Sequence, residues 1–89
     1  MSTDRKQALE LAINDVSQEI MSARSKWPAF NSAHEGYAVA LEEVEELWAC
    51  VMVKQKDRDL DKMRREAIQA AAMFTAFAAE CCGEKSGRV

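Results

Sequence analysis

Ser32-Ala33-His34-Glu35-Gly36-Tyr37-Ala38-Val39-Ala40-Leu41-Glu42-Glu43-Val44-Glu45-Glu46-Leu47-Trp48-Ala49-Cys50-Val51 is the stretch that decides the fold. Its apolar residues Tyr37, Ala40, Leu41, Val44, Leu47, Trp48 and Val51 return at intervals of three and four, the pattern of one helix face. Ser32 and Glu35 form a capping box, the hydroxyl accepting an N–H of the first turn and the carboxylate reaching back. The helix is expected to run from Ala33 to about Gln55, with that stripe as its core side. Gly36 costs some helix propensity and is expected to serve close packing or ligand access.

Upstream, Leu9, Ile13, Val16 and Ile20, with Ala12 and Met21 beside them, make a second helical stripe from about Thr3 to Ser25. Ser2 or Thr3 can cap it, and Asp4 suits the positive end of its dipole. Trp27-Pro28-Ala29-Phe30 must interrupt it, because the residue before a proline is pushed out of the α region. The two aromatics are expected to fold back on the bundle. Downstream, the polar run Lys54 to Asp59 is a short connection. A third helix is expected from about Asp57–Leu60 to Cys82, its apolar stripe centred on Met63, Ala67 and Phe74, with Gly83 as its terminator and residues 83–89 as a flexible tail. From Ala67 to Ala79 this helix is apolar nearly all round, and such a helix needs cover on every face. The expected fold is therefore one all-α domain over residues 1–89: three main helices, antiparallel, in a bundle completed by dimerisation.

Composition agrees. Three glycines and one proline in 89 residues leave too few turns for a sheet, and 48% hydrophobic with 30% charged residues is globular. A chain this short buries a modest fraction of its surface alone, a second reason to expect a homo-oligomer. Net charge −3 argues against a nucleic-acid partner bound through a basic surface. No stretch has the apolar length of a membrane span, and the polar start Met1 to Lys6 is unlike a secretory signal. Cys50, Cys81 and Cys82 are odd in number, two of them adjacent, which fits free, buried or half-buried thiols in a cytoplasmic protein better than disulfides. Trp48 and Met73 are read as core.

The chemistry sits in Glu42, Glu43, Glu45 and Glu46, four acids within five positions of one helix. Like charges three or four apart each cost a helix about 0.2–0.5 kcal/mol. No lysine or arginine lies between Glu35 and Lys54 to answer them. At about 100° per residue, with Val44 as the stripe's centre, Glu43 and Glu46 project from one flank. Glu66 and Gln69 flank the stripe of the third helix, and antiparallel packing can bring the two flanks together. Oxygen donors of this kind suit Mg²⁺, or Mn²⁺, and there is no cysteine–histidine set of zinc spacing. The plain alternative is a solvated acidic face, or ion pairs with Lys62, Arg64 and Arg65.

From Phe30 to Trp48, and again from Arg65 to Met73, the sequence resembles the two motif helices of small MazG-like nucleotide pyrophosphohydrolases, of the single-domain phage or mobile-element type. Glu42-Glu43-x-x-Glu46 is similar to the family's Glu-Glu-x-x-Glu, and Glu66 to the first position of its Glu-x-x-Asp. Gln69 stands where the commoner pattern has aspartate; an amide ligates a cation but brings no charge and takes no proton, which bears on metal affinity and on the base function. The resemblance implies Mg²⁺-dependent cleavage of a nucleoside triphosphate to the monophosphate and pyrophosphate. It implies Glu43, Glu46, Glu66 and Gln69 as metal ligands, and Glu42 as a further ligand or the group orienting water, with catalytic roles for Glu42 and Glu43. Trp27, Phe30, His34 and Tyr37 would meet the base, and Lys54, with Lys56 and Arg58 near it, can reach phosphate. The competing expectations are a nucleotide- or metal-binding helical dimer with weak hydrolysis, and a purely structural helical protein.

Overall fold

The computed structural model describes residues 2–83, all-α, with helix α1 at Ser2–Lys26, α2 at Ala33–Met52 and α3 at Leu60–Cys81. The tail expected beyond Gly83, and the side chains of Ser2 and Thr3 expected to cap α1, lie outside the described residues. Ser32 caps α2 as expected, its hydroxyl accepting from the Glu35 N–H at 3.1 Å. Glu35 reaches back one residue further than expected and accepts from the Asn31 N–H at 2.6 Å. Asp59 caps α3 in the same manner, accepting from the Lys62 N–H at 3.1 Å.

α2 ends three residues before the expected Gln55, and Gln55–Asp57 forms a separate 3₁₀ turn. At this end the Arg58 guanidinium donates to the Val51 carbonyl at 2.7 and 3.2 Å and satisfies an acceptor that a helix end leaves unpaired. Arg58, expected near phosphate, is thus a cap of α2. At the other end of the chain α3 stops at Cys82 (φ −126°, ψ 7°), and no described residue takes a left-handed conformation. Gly83 is nonetheless required there, because a Cβ on it would collide with the Ala79 carbonyl.

α3 is the middle helix, packed by α2 on one side and by α1 on the other. Gly36 lies against Phe77 and Cys81, and Glu43 and Glu46 against Glu66, so α2 and α3 are antiparallel. The pairs Asp15–Arg64 and Arg24–Glu80 follow the same order on both helices, so α1 and α3 point the same way. The buried apolar residues are few and mostly small: Ala40, Ala70, Ala72, Met73 and Ala76, ringed by half-buried Val16, Ile20, Phe30 and Val39. Small residues let helix axes come close, and Gly36 shows how close: a Cβ there would lie 2.8 Å from Phe77 Cδ2 and 3.0 Å from Phe30 Cδ2.

That close packing changes the expected register. The line of α2 that meets α3 runs through Gly36, Ala40, Glu43, Leu47 and Cys50, with the bulkier line Tyr37, Leu41, Trp48 and Met52 one position round. Trp48, expected in the core, is 58% exposed in the protomer, and Met52 62%. On α3 the line facing α2 is Met63, Glu66, Ala70, Met73 and Phe77; Ala67 and Phe74, expected at the stripe's centre, are exposed. Met73 is buried as expected. The three cysteines are free thiols as expected, Cys50 and Cys81 half-buried; Cys82 alone departs from the expectation and is exposed. Among the described residues no helix is long and apolar enough to cross a membrane.

Candidate functional site

The shifted register places Glu43 in the middle of the α2–α3 seam instead of on its flank. Glu43 and Glu46 from α2 and Glu66 from α3 each bring a carboxylate oxygen within 4.8 Å of the other two. Glu46 is exposed, whereas Glu43 and Glu66 are half-buried, and one oxygen of each, Oε1, is shut off from solvent with no hydrogen-bond partner. A buried carboxylate oxygen without a donor is costly, about 1–3 kcal/mol for an ordinary polar group and more for a charged one.

Electrostatics show the same frustration. Burial, then repulsion from Glu46 and Glu66, pushes the Glu43 carboxyl above its ordinary range, and Glu42 adds to it. Burial, then Glu46, does the same to Glu66, with Lys62 and Arg65 pulling weakly the other way. Contact between two carboxyl groups is a hydrogen bond only when one holds a proton, so without a cation the cluster favours taking one up. The basic residues nearby do not pair with it. Among the described residues Arg64 reaches Asp15 on α1 at 2.9 Å, and the other ion pair is Arg24–Glu80. Of the expected alternatives, a solvated acidic face describes Glu46, which is exposed, while no ion pair joins Glu43 or Glu66 to Lys62, Arg64 or Arg65 among the described residues. Three carboxylate oxygens this close are a donor set of the kind that a divalent ion takes, and its charge would offset the mutual repulsion of the three groups.

The other residues singled out in the sequence scatter. Glu42 is exposed and outside the cluster. Gln69 is half-buried and lines an open groove of about 510 Å³ between α1 and α3, with Asp15, Glu19 and Arg64. Trp27 and Phe30 line a pocket of about 320 Å³, whose walls also include Arg24, Glu35, Val39 and Met73. His34 and Tyr37 are exposed and do not line it. Val39 is one turn from Glu43 along α2, about 6 Å of rise, so pocket and cluster share the α2–α3 seam. Lys54 is exposed beyond the far end of α2, on the other side of the cluster from the pocket.

One group of residues escaped the sequence. Glu80 accepts from Arg24 Nε–H, from Arg24 Nη2–H at 2.6 Å and from the Phe30 backbone N–H at 3.0 Å. These donors, the Arg24 side chain first, hold its carboxyl below the ordinary range against the effect of burial. The Arg24 guanidinium also lies over the Phe30 ring, 4.9 Å from its centroid. A signal existed: Glu80 is an acid in the last turn of α3, where the helix dipole disfavours it and only a specific cation makes it welcome.

No family model matches the chain, and comparison with curated proteins and with solved structures finds no match.

Proposed function

We propose that this protein is a Mg²⁺-dependent nucleoside triphosphate pyrophosphohydrolase of the MazG-like kind, releasing the nucleoside monophosphate and pyrophosphate. The observation that carries the proposal is the trio Glu43, Glu46 and Glu66, converging from two helices with two buried oxygens that have no donor. In this reading the three carboxylates hold the ion, with Mn²⁺ able to replace it. Such an ion, when bound, would supply charge to offset the phosphates and to make water a better nucleophile. Glu42, exposed beside the cluster, is free to orient the attacking water. In this reading the water's oxygen would attack the α-phosphorus, its proton passing to a carboxylate of the cluster or to solvent, as the bond from that phosphorus to the bridging oxygen breaks and pyrophosphate leaves.

The pocket one turn along the seam supports the substrate assignment, since its volume and aromatic lining suit a nucleobase. Trp27 and Phe30 are the base contacts in this reading; His34 and Tyr37 contribute only from a different arrangement or from a partner copy. In this reading Lys54, exposed beyond the end of α2, would meet the phosphates.

The reading includes a homodimer in the cytoplasm. Within the protomer Leu9, Ile13, Trp48, Met52 and Phe74 are 47–62% exposed, apolar area that a second copy would cover. A second reading, nucleotide binding with weak turnover, is favoured by Gln69, an uncharged side chain that lines the groove shared with α1.

The test is pyrophosphate release from a panel of canonical and modified nucleoside triphosphates with Mg²⁺, together with sedimentation to measure the assembly. Turnover that survives Glu43→Ala would refute the assigned site. Saturable nucleotide binding without turnover selects the second reading, and a gain of turnover in Gln69→Asp would identify Gln69 as its cause.

A further inference from the structure

The loop between α1 and α2 supplies the aromatic side of the pocket, yet most of it is exposed, Trp27, Pro28 and Ala29 included. Its inner end is held by two acids, Glu35 on the Asn31 N–H and, at Phe30, Glu80 from the far end of α3. Glu80 takes the Phe30 N–H at 3.0 Å, while the same carboxylate engages Arg24 through two donors. Arg24 in turn lies over the Phe30 ring, 4.9 Å from its centroid, and the ring rests near the Cα of Gly36, where a Cβ would come within 3.0 Å of it. Phe30 is therefore held at its backbone by Glu80 and at its ring by Arg24 and Gly36. Side chains of Arg24 and Glu80 are only 23% and 19% exposed, so water competes poorly for these contacts.

We propose that Glu80 is a positioning residue of the pocket: through Arg24 and the Phe30 N–H it fixes the Phe30 ring as a wall, and so sets the affinity for a planar heteroaromatic ring. Glu80 itself is not among the residues lining the pocket. The inference rests on the nucleotide reading, which supplies the ring. Its logic is that of pre-organisation: a wall held before binding need not be ordered by the ligand. A misplaced wall costs binding even though every side chain that touches the ring is still present.

Two variants separate this from a merely structural role. Glu80→Gln keeps an oxygen for the Phe30 N–H but loses the charge that Arg24 needs; Glu80→Ala loses both. The probes are the four deoxynucleoside 5′-monophosphates, titrated by calorimetry, with Mn²⁺ alone as the control for the carboxylate cluster. The wild type is expected to bind at least one monophosphate. Glu80→Ala should weaken that binding about tenfold, a modest figure for a contact displaced by part of an ångström. Glu80→Gln should fall between the two, and Mn²⁺ binding should stay within twofold of wild type in both. Hydrogen exchange supplies a readout free of ligand: the Phe30 amide should lose protection in Glu80→Ala and retain part of it in Glu80→Gln. Equal weakening of monophosphate and Mn²⁺ binding, or undiminished monophosphate affinity in Glu80→Ala, would overturn the inference and leave the pyrophosphohydrolase reading standing. A wild type that binds none of the four overturns this inference as well; if it also releases no pyrophosphate from any triphosphate, the proposed function falls too.

Discussion

Two acidic sites in this small bundle are built on opposite principles. At Glu80 one carboxylate meets three donors from two other parts of the chain, and its acidity is strengthened. At Glu43, Glu46 and Glu66 three carboxylates meet one another, two of their oxygens have no donor, and the carboxyls of Glu43 and Glu66 become weaker acids. The first arrangement is complete within the chain and contributes to stability. The second sets like charges against one another, and burial adds to the cost. Perturbed carboxyls brought together in this way mark the place where the proposed function puts its cation.

The largest expected difference between the two is functional. Glu43→Ala should lower pyrophosphate release at least ~100-fold, since even residues outside a metal's direct ligands cost about 10–100-fold. Unchanged release would show the cluster to be a bystander. Next comes stability, where the signs should oppose. Glu80→Ala strands Arg24 and the Phe30 N–H and should cost about 2 kcal/mol, read as a lower urea midpoint. Gly36→Ala attacks the same corner from the other side by driving a methyl into Phe77 and Phe30, and should cost about 1–2 kcal/mol by overpacking. Glu43→Gln, by contrast, removes a repelled charge and should raise the stability of metal-free protein by about 0.5–1 kcal/mol. Mg²⁺ should then raise the melting temperature of wild type and not of Glu43→Gln. A loss of stability in metal-free Glu43→Gln would mean that the cluster is not frustrated.

Acid separates the two sites by sign. Glu43 and Glu66 have raised carboxyls in the fold, so the fold gains stability as pH falls from neutral through their values and they take up protons. Glu80 has a lowered carboxyl, so the stability it contributes is present above the ordinary value of 4.5 and is lost as pH falls below it through the folded value. Urea midpoints in EDTA from pH 7 downward should therefore rise slightly and then fall. Glu43→Gln should flatten the rise, and Glu80→Ala should blunt the fall. A wild-type profile that falls steadily from pH 7 would contradict the assignment at Glu43 and Glu66.

Much of this was legible in the residues. Spacing of three and four located all three helices, Ser32 marked the start of α2, and the crowding of Glu42 to Glu46 with no nearby lysine or arginine drew attention to the carboxylates that do converge. What could not be read was which of two adjacent apolar lines α2 would bury. Pattern favours the line with Leu41 and Trp48, because it carries more hydrophobic area. The fold uses the line with Gly36 and Ala40, because small side chains allow α2 to approach α3 closely over Met73 and Phe77. One residue of rotation moved Trp48 outward and Glu43 inward.

The local content of the chain, then, follows from its own order: helix periods, caps, the break at Pro28 and the surplus of acid on α2 depend on near neighbours and require no knowledge of the rest. Rotation of each helix about its axis, the meeting of Glu66 with Glu43 and the clasp of Glu80 on Arg24 and Phe30 are settled by shape across distances of twenty to fifty-six residues. Those outcomes turn on steric fit between surfaces that are far apart in sequence, and a one-dimensional pattern carries no measure of that fit.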